Sequence, residues 1–208
     1  MNIGSRKIVV DEAFAQLRLY AETNPAVLRY YDGLPGLENV GGIDPDKVTL
    51  DDLARTMVIG SDLKANDIPW LVEVDAEKEF AAIPVRARLE DAVPGSELFE
   101  AATALDETFS GHRGFGQAKK SKLLHLKRPY LFPISDSFVR MTYRDAVAGA
   151  DFLAAVHRDL VNTANVQEFD RLEARLEHEP TGSPAQLLSE APRLRLLDIL
   201  ASLLGEAK

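Results

Sequence analysis

The chain has 208 residues, 46% of them apolar, enough to fill a core in one domain or two small lobes. Its 24 Lys and Arg against 33 Asp and Glu give a net charge of -9, so the chain as a whole repels polyanions and acidic membranes, and general polybasic binding is excluded. Without cysteine there is no disulfide, thiol nucleophile, thiolate zinc site or iron–sulfur cluster; no window approaches the ~18 apolar residues of a membrane span. The expectation is a cytoplasmic protein without a membrane partner.

The apolar periodicity is helical. Phe14, Leu17, Leu19 and Tyr20 follow an N-cap-like Asp11 and predict a first helix that Asn24-Pro25 breaks. A short apolar stretch through Tyr30 and Tyr31 precedes a glycine-rich loop from Gly33 to Pro45. Thr49 then caps a helix through Leu53 and Val58, with Asp51 and Asp52 in its first turn. Further helices are predicted at Trp70 to Glu73, Asp75 to Ala82, Ser96 to Thr108, Gln117 to Leu126, Asp136 to Tyr143, Gly149 to Leu160, Val166 to Glu177 and Pro192 to Leu204. Strand candidates are short, Arg6 to Val10 and Ile83 to Val85, and the second contains Pro84. The expected fold is all-α, one body over 1–208, with the loop at 33–46 and the stretch Glu179 to Pro184 as places where two lobes would meet.

One segment departs from the acidic background. Thr108 to Ser135 holds six cations, Arg113, Lys119, Lys120, Lys122, Lys127 and Arg128, and no acid, which leaves -15 for the rest of the chain. Inside it, Gly111-His112-Arg113-Gly114-Phe115-Gly116 lies between two predicted helices. Gly114 and Gly116 would let backbone approach a phosphate, with Phe115 plugging the turn into the core. Each feature has a plain structural reading too: an ordinary helix–helix turn for the glycines, solvated or paired side chains for the cations.

This arrangement resembles the helix-hairpin-helix DNA glycosylase superfamily, with the motif over 97–126 and the resemblance extending over roughly 100 to 144. In that superfamily a Gly-apolar-Gly hairpin grips a DNA phosphate and a downstream aspartate activates base excision. The match falls on Gly114, Gly116 and Asp136, and Ser137-Phe138-Val139-Arg140 is similar to the residues after the family's aspartate. The resemblance implies DNA as partner, Asp136 as catalytic carboxylate, and Gly114, Gly116, Lys119, Lys120, Lys122, Lys127 and Arg128 as phosphate or DNA contacts. Ala118 stands where bifunctional members carry a catalytic lysine, so a Schiff-base lyase is not implied. Lys120 replaces a small residue, and His112-Arg113 replaces apolar-Pro.

A second resemblance covers almost the whole chain, to an uncharacterised bacterial, actinobacterial-type family of no assigned function. It rests on Val48 to Leu53, on Lys122 to Ser137 with its Lys-Arg-Pro at 127–129, and on Leu194 to Asp198.

Other candidates read more plainly. Asp136 also fits a helix N-cap, and the two roles can coexist. Trp70, Tyr30, Tyr31 and Tyr130 would stack on an extruded base or pack in the core. His112, His125, His157 and His178 form no i, i+4 pair, so no metal is expected, nor any cofactor. Glu73, Asp75, Glu77 and Glu79 read as a solvated face. The C-terminal helix is apolar around most of its circumference and is buried against the body or against a second copy in a homodimer; Asp198 within it would face Arg195 or Arg193. The functional expectation is a DNA-binding helix-hairpin-helix protein with monofunctional glycosylase-like hydrolysis at Asp136. The alternative is a non-enzymatic nucleic-acid-binding or protein-interaction module on the same scaffold, which the acidic remainder favours.

Overall fold

The computed structural model describes residues 1–32, 44–144 and 152–207. Among these the fold is all-α: 65% of it is helical and the strands form a single two-stranded sheet. The predicted loop Gly33 to Pro45 and the start of the helix predicted at Gly149 lie largely outside the described residues.

The chain opens on an antiparallel hairpin, β1 (Asn2–Ile3) with β2 (Arg6–Lys7), in place of the strand predicted through Val10. Its turn needs Gly4 at φ 57°, because a Cβ there would lie 2.4 Å from the Thr142 carbonyl oxygen. The Ile83 to Val85 stretch is turn, as Pro84 dictates. Helix α1 (Val10–Thr23) buries Ala13, Leu17 and Ala21 at a spacing of four; Val9 is its N-cap, and Asp11 lies in its first turn. The short α2 (Pro25–Val27) has proline at its first position and runs into a π-turn that buries Tyr31.

Helix α3 (Leu50–Val58) starts with the predicted cap, a full capping box in which Thr49 and Asp52 satisfy each other's backbone amides. It is followed by α4 (Asp67–Glu73), α5 (Glu77–Ala81) and α6 (Glu97–Thr108), the last capped by Ser96. Then come α7 (Gln117–Lys127), α8 (Ser137–Tyr143), α9 (Phe152–Val161), α10 (Thr163–Glu177) capped by Asn162, α11 (Pro184–Leu187) and α12 (Arg193–Glu206). No helix among the described residues is long and apolar enough to cross a membrane.

One apolar core runs from Met1 to Ala201 and includes side chains from nearly every helix. Helix α12 is central to it, with Leu194, Leu196, Leu197, Ile199, Leu200 and Ala201 all buried against the chain's own body. The apolar circumference that suggested a homodimer is thus covered within one chain. Its closest packing is on α8. Gly205 permits that approach, since a Cβ there would lie 2.0 Å from the Phe138 carbonyl oxygen, and the Thr142 hydroxyl donates to the Ala201 carbonyl at 2.6 Å.

Candidate functional site

Most of the cations that mark Thr108 to Ser135 are committed inside the protein. Arg128, with no exposed surface, donates to the carbonyls of Phe80, Ile83, Pro45 and Lys127 and to the Asp46 carboxylate, and lies over the Phe80 ring. Lys127, equally buried, donates to the Asp44 carbonyl and to Asp52 at 2.6 Å; burial pulls its ammonium below the usual lysine range, against the opposing charge of Asp52. Lys120 holds the Asp106 carboxylate, the Asp106 carbonyl and the Ser110 hydroxyl. Lys119 reaches Asp67 at 2.9 Å. A surface phosphate would reach Lys120, Lys127 or Arg128 only by opening these pairs. Arg113 is exposed.

The hairpin forms between α6 and α7. Gly114 sits at φ 97°, where only glycine is at ease; Phe115 is buried as expected, and Gly116 is the exposed N-cap of α7. Asp67 anchors the loop from below. Burial opposes its charge, but the Lys64 amide and the Lys119 ammonium outweigh that and hold the carboxyl below its ordinary value. Trp70 stacks on His112 at 4.2 Å and meets Phe109 and Phe115 edge-on, so it packs the hairpin rather than facing open space.

Asp136 is the N-cap of α8, accepting from the amides of Phe138 and Val139 at 3.0 and 2.9 Å. Both bonds go to Oδ1, and Oδ2 has no partner among the described residues. The carboxylate also lines an open cavity of about 250 Å³ with Tyr20, Asn24, Lys122, Arg195 and Asp198, its lining completed by aliphatic side chains that include Val27 of α2, Val58 of α3, Val139 of α8 and Ile199 of α12. The backbone leading to it is pinned on both sides: the Ile134 amide donates to Asp198, and the Ser135 amide to the Ser121 hydroxyl. Lys122 donates to the Ile59 carbonyl at 2.8 Å, and burial lowers its ammonium from the usual lysine value, with Asp136 acting against that. Of the predicted phosphate contacts, Lys122 alone shares the cavity with Asp136. Gly114 and Gly116 do not line it; Gly116 precedes Lys122 by six residues, about 9 Å along the helix axis.

The sequence reading missed Asp198 as a cavity group. Neither arginine proposed for it is its ion-pair partner: Arg195 binds Asp32 at 2.6 and 3.0 Å and the Tyr20 hydroxyl, and Arg193 binds Asp170 and Glu173. Asp198 Oδ1 is buried and has no hydrogen-bond partner. Burial pushes this carboxyl well above the ordinary carboxylate range. His125 Nδ1 lies 3.6 Å from it but is 2.7 Å from the Phe132 carbonyl, an acceptor only, so that nitrogen carries the proton. Burial pushes the His125 imidazole down to about 3, and Tyr31 stacks parallel to it. The only signal in the sequence was a carboxylate in the middle of a helix that is apolar around most of its circumference.

Residues 13–205 match the model of a family of unknown function, DUF6308. The chain belongs to that family. No curated protein and no solved structure matches it. Every residue lining the Asp136 cavity lies within the span shared with DUF6308, as do the buried Lys127–Asp52 and Arg128–Asp46 pairs.

For this DUF6308 chain the cavity combines unlike polar groups. Oδ2 of Asp136 can accept, the Lys122 ammonium has donors beyond the one given to Ile59, and Asp198 is a carboxyl that resists ionisation. No group of three or more metal-ligating side chains occurs among the described residues. Pairs of carboxyl groups in contrasting environments are the arrangement that acid–base hydrolysis uses.

Proposed function

We propose that the chain hydrolyses a glycosidic carbon–nitrogen bond, with Asp136 as the catalytic carboxylate and a nucleobase as the leaving group. The observation that carries this reading is the division of labour on Asp136: Oδ1 caps α8 while Oδ2 has no protein partner among the described residues, on a residue that lines the cavity. As the bond breaks, the sugar carbon becomes cationic, and a fixed carboxylate beside it stabilises that charge and orients the attacking water. A cavity of about 250 Å³ is slightly below the usual range for ligand pockets and suits a single base or sugar. The helix-hairpin-helix resemblance makes DNA the carrier of that base. Gly114, Gly116 and the exposed Arg113 would then take a phosphate of the strand.

The test is release of free base from duplexes carrying single damaged or mismatched bases, and from free nucleosides, by the wild type and by Asp136→Asn. Asparagine keeps the cap, so a folded variant without turnover supports the reading. Equal release by both proteins, or none by the wild type, overturns it.

A second reading, the protein-interaction form of the non-enzymatic module, is favoured by the commitment of Lys119, Lys120, Lys127 and Arg128 to internal partners. It predicts no salt-dependent DNA binding, whereas contacts through Arg113 or Lys122 predict affinity that falls as salt rises.

A further inference from the structure

We infer that Asp198 is the proton donor of the Asp136 cavity, handing its proton to the leaving base; this rests on the hydrolytic reading above. The argument starts from valence. Asp198 is 1% exposed, and its Oδ2 accepts from the Ile134 amide at 2.9 Å. Its Oδ1 is buried and without a partner, although the residue lines the cavity. An ionised carboxylate there would lack a cationic partner, a costly state that buried groups escape by binding a proton. Since Oδ2 is already an acceptor, the hydrogen belongs on Oδ1, which has almost no accessible surface, so a base takes it by pressing into the cavity wall that Asp198 helps to form.

The surroundings agree. Arg195, on the same helix, is the one charge favouring ionisation, and it is engaged with Asp32 and Tyr20. Asp32 and Asp136 oppose ionisation from two other elements. His125 faces Asp198 as a neutral ring whose Nδ1 proton is given to Phe132. Tyr31 and Tyr143 are the buried phenols that feel its charge, and Lys122 shares the cavity. In the reaction, the carbon–nitrogen bond breaks with its electron pair going to the base, and that nitrogen takes the proton from Asp198 Oδ1. Water adds to the sugar carbon and loses a proton to Asp136 or solvent. Asp198, left as a carboxylate, regains a proton before the next turnover, so the sum is substrate plus water giving the sugar hemiacetal plus free base.

The experiment is a carboxyl ¹³C titration of the full chain, comparing wild type, Asp198→Asn and Asp136→Asn, with adenine and cytosine as probes. One aspartate should remain protonated at pH 7, its resonance absent from Asp198→Asn, present in Asp136→Asn, and shifted by a bound base. On a substrate that the wild type cleaves, Asp198→Asn should lower kcat about 100-fold and abolish the fall in kcat at high pH. The titration of the wild type stands even if that variant folds poorly. An ionised Asp198 at pH 7, or a variant with full turnover and an unchanged profile, overturns the inference. Bases that shift the Asp136 resonance but not that of Asp198 sink this inference alone. Bases that shift neither sink the cavity reading and this one together.

Discussion

Two regions only a few residues apart in sequence use charge in opposite ways. At the end of α7, Lys127 and Arg128 meet Asp52, Asp46 and a set of backbone carbonyls, and nearly every donor they have is matched. Around Asp136 the polar groups are matched incompletely: one oxygen of Asp136 and one of Asp198 lack partners. The first region is a fastening that ties residues 44–52 and 80–83 to α7 and leaves one buried acceptor, Asp52 Oδ1, unpaired; the second has hydrogen-bonding capacity left on two carboxyl groups that line a cavity. Density of charge in a sequence therefore says less about binding than how many of its donors and acceptors remain free in the fold.

The strongest test of that contrast is Arg128→Ala. It strands several buried carbonyls and should cost about 3–5 kcal/mol, lowering Tm on the order of 10 °C in a scanning melt. Lys127→Met should be comparably damaging alone and partly rescued by adding Asp52→Asn, which removes the stranded charge while keeping an acceptor for the Thr49 amide. Should Arg128→Ala melt like the wild type, the fastening would be refuted and the residue returned to the candidates for phosphate contact.

Beneath the cavity, Gly205→Ala drives a Cβ into the Phe138 carbonyl and should destabilise by about 1–3 kcal/mol in a denaturant titration. It should also weaken whatever ligand Asp136 serves, since Phe138 donates one of the amides that hold that carboxylate.

The pH dependence sharpens the contrast further. Folded His125 is pushed down to about 3 and folded Asp198 is pushed up, so above about pH 4, over the range in which folded Asp198 keeps its proton and unfolded histidine still binds one, each state of the pair binds one proton. Their contributions cancel there. His125→Gln leaves the Asp198 contribution alone, so stability falls as pH rises above about 4, by up to about 1.4 kcal/mol per unit. Asp198→Asn leaves the histidine contribution, and stability is then lost as pH falls from about 6.5 toward 3. Urea midpoints at pH 4.5 and 6 separate these slopes, and parallel slopes in the two variants would refute the neutral pair.

The smallest expected effect is at Asp136 itself. Alanine removes the cap and should cost about 1 kcal/mol, whereas asparagine should cost a few tenths, measured by thermal melts.

What could be read from the sequence was local. Thr49 and Asp136 cap the helices they were expected to cap, because a cap needs only its own next three residues. The all-α fold follows from spacing in the same way. The fate of Arg128 was illegible because its partners are main-chain carbonyls of Phe80, Ile83 and Pro45, groups that every residue has and no pattern marks. Asp198 was misassigned for a related reason. Three residues from Arg195 on one helix, it reads as an ion pair, but that guanidinium reaches back 163 residues to Asp32, whose fork geometry it matches with two bonds. Competition from distant carboxylates is invisible to spacing.

The Arg195–Tyr20 hydrogen bond joins residues 175 apart. With Lys122 and Asp136 between them in sequence, the cavity draws its walls from the beginning, middle and end of the polypeptide. During synthesis, α12 follows the other described helices, so while residues 129–192 are being made the chain has the residues of its hairpin and its fastening but no complete cavity. Truncation before residue 193 removes Arg195, Asp198 and the central helix of the core, and should leave a chain that forms neither a stable fold nor the cavity.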